Sequence, residues 1–144
     1  QAYEKYGKGT VGVKQVPTED VSKYCSLKVE PIADRVMTVS DMIEKPPVDK
    51  MFSNWSILGR CVLPPEIFDI LENTPAGAGG EIQLTDAMAV LARKEGMVAV
   101  DYIGTRYDMG NKLGIMKAQI EVALKHNEIG EEFKKYLKEI AKTL

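Results

Sequence analysis

Cysteine and histidine are scarce in this chain, and their scarcity removes several chemistries at the outset. Two cysteines, Cys25 and Cys61, are too few for a disulfide framework and lack metal-site spacing. They read as reduced thiols in a cytosolic protein. With His126 as the one histidine, neither a Ser-His-Asp nor a Cys-His arrangement can be assembled. Its expected role is a hydrogen-bonding or cationic helix end. A basic excess is missing too: 19 Lys and Arg against 21 Asp and Glu leave a net charge of −2. That balance argues against a dedicated nucleic-acid binder. No run of about 18 apolar residues exists, so no membrane span is expected. The first fifteen residues carry Glu4, Lys5, Lys8 and Lys14 and no apolar core of a secretory signal.

What is present suits a soluble globular protein: 144 residues, 44% apolar and 28% charged, enough to bury a useful core. The chain opens on Gln1 and a polar, helix-like stretch to Tyr6, which suggests a part of something longer. Near-alternating Val11, Val13 and Val16 predict a strand from about Thr10 to Val16, ended by Pro17. Further strands are expected over Cys25–Ile32, Val36–Ile43, Trp55–Val62 and Met97–Ile103. Pro46 and Pro47 force a loop between the third and fourth of these five. Pro65 suits the first position of a short helix buried through Ile67, Ile70 and Leu71. Thr85 or Asp86 can cap the next helix, with Met88, Leu91 and Ala92 as its inner face and Gly96 as its stop. Leu113, Met116, Ile120 and Leu124 mark an amphipathic helix of about four turns. Phe133, Tyr136, Leu137, Ile140 and Leu144 mark the last. Strands mixed with helices indicate an α/β arrangement.

Several local motifs allow two readings. Gly7-Lys-Gly-Thr-Val-Gly12 matches G-x-G-x-x-G, but its last glycine falls inside a strand pattern, so a turn leading into a strand is the better reading. Glu44-Lys45-Pro46 is either a solvated charged pair or a clamp. In the clamp, the carboxylate accepts sugar hydroxyls and the ammonium neutralises a phosphate. The glycine-rich stretch from Gly77 to Glu81 either makes a tight turn or cradles a phosphate with backbone amides. Asp108 lies between a strand's C-terminal end and a helix, where open α/β sheets place ligand-binding groups. It is a turn aspartate, or a carboxylate suited to Mg²⁺ with phosphate oxygens and water.

Five stretches, taken in order, resemble the bacterial UTP–glucose-1-phosphate uridylyltransferase family. They are Val21-Ser-Lys-Tyr24, Met42-Ile-Glu-Lys-Pro46, Leu58-Gly-Arg60, Gly79-Gly-Glu-Ile-Gln-Leu-Thr-Asp86 and Gly104-Thr-Arg-Tyr-Asp-Met-Gly-Asn-Lys112. The resemblance implies the C-terminal portion of a nucleotidyltransferase fold, a Rossmann-like mixed sheet with C-terminal helices. Residues 1–144 would form its sugar-phosphate-binding part, without the N-terminal nucleotide-binding part. It also implies the activity of the intact enzyme: UTP and glucose 1-phosphate give UDP-glucose and pyrophosphate in the cytoplasm, with Mg²⁺, in a homo-oligomer. Glu44 matches the acid on the glucose hydroxyls, Lys45 the catalytic lysine on the sugar phosphate, and Asp108 one of two Mg²⁺-binding acids. Cys25 stands where the family commonly has a glycine beside the sugar, so its side chain is a possible sugar neighbour. The isolated chain is expected to be inactive. Two alternatives stay open: another nucleotidyltransferase of thymidylyl type, and a non-catalytic self-association domain.

Overall fold

The computed structural model describes residues 1–144, the side chain of Ala78 apart, and its internal contacts divide them into two compact units, Gln1–Ile103 and Gly104–Leu144. The first unit begins with α1 (Ala2–Tyr6), closed by Gly7 in a left-handed conformation. The strand β1 (Thr10–Gln15) follows, so the Gly7–Gly12 motif runs from the end of a helix into a strand, and its last glycine lies inside β1. The turn reading holds, and the pyrophosphate fingerprint does not. Then come β2 (Cys25–Ala33), β3 (Val36–Glu44), β4 (Trp55–Val62), α2 (Ile67–Glu72), α3 (Leu84–Glu95) and β5 (Met97–Asp101). Short 3₁₀ turns at Thr18–Lys23 and Val48–Lys50 fill the connections.

The five strands form one mixed sheet in the order β2-β3-β5-β1-β4. Strands β1 and β5 run parallel, whereas β1 with β4, β2 with β3 and β3 with β5 are antiparallel. The period of two turns Val11 and Val13 of β1 and Val39 of β3 into the core. They meet Met88 and Leu91 of α3, whose buried residues recur at helical spacing. Gly96, at φ 75°, stops α3 as expected.

Two expected helix starts are displaced. Pro65 is not the first helical residue of α2: Pro64 and Pro65 form turns that accept the N–H groups of Ile67 and Phe68, and Glu66 is the cap. Neither Thr85 nor Asp86 caps α3. Gln83 holds that position without a side-chain cap bond, and the Asp86 carboxylate lies instead against Gly77.

The second unit contains α4 (Lys112–Leu124) and α5 (Gly130–Ile140). Here the expected face of α4 is corrected. Leu113, Met116, Ile120 and Leu124 are 38–62% exposed, and Ala118 is its buried residue. Ile115, Val122 and Ala123 also sit around the axis, so α4 is apolar on all sides and has no single hydrophobic stripe. In α5 the expected spacing is kept in part: Phe133 and Leu137 are half-buried, Tyr136 and Ile140 stay exposed, and Leu144 lies beyond the helix, fully exposed. His126 takes the hydrogen-bonding role foreseen for it, its Nδ1 accepting the Glu128 N–H at 3.2 Å.

Candidate functional site

Strand register brings the first two candidate residues together. Glu44 closes β3 and is the cross-strand partner of Cys25, the first residue of β2. Glu44 is half-buried, while Cys25 is only 3% exposed. The backbone then turns sharply: Lys45 adopts φ 44°, uncommon for a residue with a Cβ. Its N–H donates to the Tyr24 carbonyl at 2.8 Å, and the buried Pro46 fixes the exit. This conformation is the bend that two adjacent strand residues need to avoid pointing to opposite faces. The Lys45 side chain is exposed.

A cavity of about 260 Å³ opens beside this turn. Its walls are Tyr24 and Cys25 from β2 and the turn before it, Glu44 from β3, and Ile57, Gly59 and Cys61 from β4. Leu84, Thr85 and Met88 from the start of α3 close it, with Lys23. A carboxylate, a hydroxyl and an ammonium thus surround apolar side chains, a mixture that suits a small polyhydroxylated ligand. Asp20 bonds Lys23 at 2.5 Å and raises the pKa of its ammonium. Burial pushes the Cys25 thiol up to about 11, with the Glu44 charge adding to it, so the group is a neutral wall rather than a nucleophile. Its Sγ accepts the Ile57 N–H at 3.1 Å. Gly59, at φ 101°, needs to be glycine for its conformation, since a Cβ there would meet nothing within 4 Å. Lys45 is not among the lining residues.

A larger cavity, about 740 Å³, lies between β3, α2 and α3 and includes Phe52, Ile70, Asp86 and Val90. Asp41 and Arg93, paired at 2.7 Å, also line it. It contains none of Cys25, Glu44 and Lys45, so size alone does not choose the site. The glycine-rich loop borders it through Gly77. Gly77 donates to the Glu81 carbonyl at 2.9 Å and Gly80 to the Gly77 carbonyl at 3.0 Å. Two amides needed for a phosphate cradle are therefore used inside the loop, and the tight-turn reading is the one observed.

Asp108 belongs to the second unit and precedes α4. One carboxylate oxygen, Oδ1, accepts the Gly110 N–H at 2.9 Å, which makes Asp108 a turn residue. Two further contacts define its loop. The Tyr107 hydroxyl donates to Glu121 Oε2 on α4 at 2.6 Å, and this bond raises the tyrosine pKa. Gly114, in the first turn of α4, leaves room for the Asp108 carbonyl: a Cβ there would sit 1.9 Å from that oxygen. Among the described residues, no group of three His, Cys, Asp or Glu side chains gathers as a metal site. A single carboxylate still fits Mg²⁺, whose remaining ligands are ordinarily water and phosphate oxygens.

No protein-family profile matches the chain. Individual proteins do. The Staphylococcus epidermidis UTP–glucose-1-phosphate uridylyltransferase is 41% identical over 138 residues, 96% of this chain and 48% of its own length. The Streptococcus pyogenes uridylyltransferase is 41% identical over 143 residues, 99% of this chain and 47% of its own length. A solved UDP-glucose pyrophosphorylase complexed with UDP-glucose matches with a TM-score of 0.83 at 36% identity, over 87% of this chain and 48% of that one. The chain thus shares its fold and much of its sequence with part of these UTP–glucose-1-phosphate uridylyltransferases. It spans about half the length of the curated relatives it matches.

Within this fold, several positions have contacts that the sequence did not assign. Leu84 and Thr85 of the Gln83–Asp86 stretch line the Glu44 cavity, whereas the neighbouring Asp86 lines the larger one. Helical geometry explains the split, because successive residues point about 100° apart. Asn111 caps α4, its Oδ1 accepting the Gly114 N–H at 2.6 Å. An asparagine directly before an apolar helix is a signal that could have found it. No helix is long and apolar enough to cross a membrane among the described residues.

Proposed function

We propose that this chain is the sugar-phosphate-binding part of a UTP–glucose-1-phosphate uridylyltransferase. The observation that carries the reading is 41% identity across 143 residues to a Streptococcus pyogenes protein of that name. The intact enzyme would join glucose 1-phosphate to UTP. A phosphate oxygen of the sugar phosphate forms a bond to the α-phosphorus of UTP as the α–β bond breaks and pyrophosphate departs. Such a transfer needs alignment and charge stabilisation more than a covalent enzyme intermediate.

The chain's own residues divide that work. Glu44, facing the cavity with Cys25, would accept glucose hydroxyls and fix the ring. Lys45, exposed beyond the turn, would meet the sugar phosphate as a point charge. Cys25 would limit the depth of the pocket. Asp108 would hold Mg²⁺, which supplies charge neutralisation at the phosphates. The free thiols Cys25 and Cys61 support a cytoplasmic setting. A homo-oligomer of the intact enzyme belongs to the same proposal.

The test compares this chain with the intact enzyme, each given UTP, glucose 1-phosphate and Mg²⁺. UDP-glucose should form with the intact protein and not with residues 1–144 alone. Robust turnover by the isolated chain would overturn the division of labour. A Lys45→Ala enzyme with unaltered kcat would overturn the role of the clamp.

A further inference from the structure

The outermost strands of the sheet, β2 and β4, are far apart in strand order, yet serine hydroxyls stitch their ends together. Ser26 Oγ, beside Cys25 on β2, accepts the N–H groups of Phe52 and Ser53 at 2.9 and 3.0 Å. It also donates to the Ser53 carbonyl at 2.8 Å. One donor and two acceptor positions are the whole capacity of a hydroxyl. Ser53 Oγ returns a bond to the Leu27 carbonyl at 2.6 Å and accepts the Trp55 N–H at 3.2 Å. Ser56 Oγ on β4 donates to the Cys25 carbonyl at 2.5 Å. Ser26 and Ser56 are both 0% exposed.

The seam is more than core polarity, because of what it holds. It pins both ends of Cys25 to β4: the carbonyl through Ser56, and the thiol through the Ile57 N–H. Cys25 is in turn the register partner of Glu44, and Tyr24, one residue earlier, carries the carbonyl that anchors the left-handed Lys45. The segment from Lys45 to Asn54, which connects β3 to β4, is tied at its far end by Ser26. The cavity walls at Cys25 and Ile57, where β2 meets β4, are therefore held by this seam.

We propose that Ser26 and Ser56 are positioning residues for the sugar phosphate, setting the cavity's width and the placing of Glu44 and Lys45. The proposal rests on the sugar-phosphate reading above. Neither serine touches the ligand; each acts through Cys25, Glu44 and the Lys45 turn.

The experiment uses the 144-residue chain with Ser26→Ala, Ser56→Ala, Ser26→Thr, and Val39→Ala, a core change in the middle of β3. Glucose 1-phosphate affinity is measured by calorimetry, and amide hydrogen exchange at Lys45 and Ile57 by NMR. Both alanine variants should bind roughly tenfold more weakly, the scale of one lost hydrogen bond in a buried network. Exchange at Lys45 and Ile57 should accelerate by a similar factor, with partial rescue in Ser26→Thr. Val39→Ala should lower the melting temperature without changing affinity. Equal loss of affinity in Val39→Ala would reduce the serines to ordinary stabilisers and overturn the proposal. Were the unaltered chain to bind no glucose 1-phosphate, the sugar reading would fall. The exchange data would still judge the seam, and unchanged exchange at Lys45 would overturn it.

Discussion

The two units of the chain handle apolar surface in opposite ways. Residues 1–103 bury Val11, Val13, Leu27, Val39, Leu91 and Met97 to 1% exposure or less between α3 and the sheet. Residues 104–144 leave Leu113, Met116, Val122 and Tyr136 more than half exposed. The candidate groups differ in the same sense. Glu44 and Cys25 sit on paired strands, fixed by register, whereas Asp108 sits on a loop fixed by Gly110, Gly114 and the Tyr107–Glu121 bond. The first unit has the means to hold a binding geometry by itself. The second places an acid but leaves most of its own helical surface uncovered.

The contrast is broken most forcefully in the first unit's core. Leu91→Ala should cost about 2–5 kcal/mol in chemical denaturation, as a buried leucine leaves a cavity. Ile120→Ala in α4, by contrast, should cost less than about 1 kcal/mol, since the side chain is already 39% exposed. Comparable losses would show that α4 is sealed as tightly as α3.

In the intact enzyme, Asp108→Asn should lower kcat by roughly a hundredfold or more, the scale of removing one charge-stabilising group. Gly114→Ala should act in the same direction without altering any carboxylate, because its Cβ would strike the Asp108 carbonyl. Steady-state kinetics across Mg²⁺ concentrations checks both, and wild-type rates in Gly114→Ala would release Asp108 from its proposed role.

A smaller effect follows from Cys25, whose pKa rises from 9.0 to about 11 in the folded chain. The unfolded thiol ionises first as the pH rises, so alkali favours unfolding. The stabilisation is complete below pH 9 and is lost as the pH climbs towards 11, by on the order of 2–3 kcal/mol. Cys25→Ala should flatten this part of the stability-versus-pH curve. An unchanged slope would place the alkaline sensitivity elsewhere. Alkylation at neutral pH should label the exposed Cys61 and spare Cys25.

Much of the first unit was legible because its signals are local. Alternating valines in β1, the proline pair after β3 and the glycine after α3 each act within a few residues, and each element lies where those residues predict. The proline pair also marked where the chain leaves β3 after Glu44 and Lys45. The left-handed lysine was not legible, because no glycine marks it; the conformation is imposed by the Tyr24 carbonyl and Pro46. The serine seam was hidden for a different reason. Ser26 and Ser53 are 27 positions apart and meet only once the sheet has curled. The inner face of α4 could not be read from periodicity, since a helix apolar on every side carries no directional signal.

The central claim is that residues 1–103 already contain the sugar half of the site. Titrating the 144-residue chain with glucose 1-phosphate, followed residue by residue in amide NMR spectra, tests it most directly. The account predicts saturable shifts at Cys25, Glu44, Lys45 and Gly59, with affinity reduced at least about tenfold in Glu44→Ala, the loss expected when a charged hydrogen-bond acceptor is removed. Absence of binding, or shifts confined to Ile70, Val90 and the rest of the larger cavity and indifferent to Glu44→Ala, would contradict it.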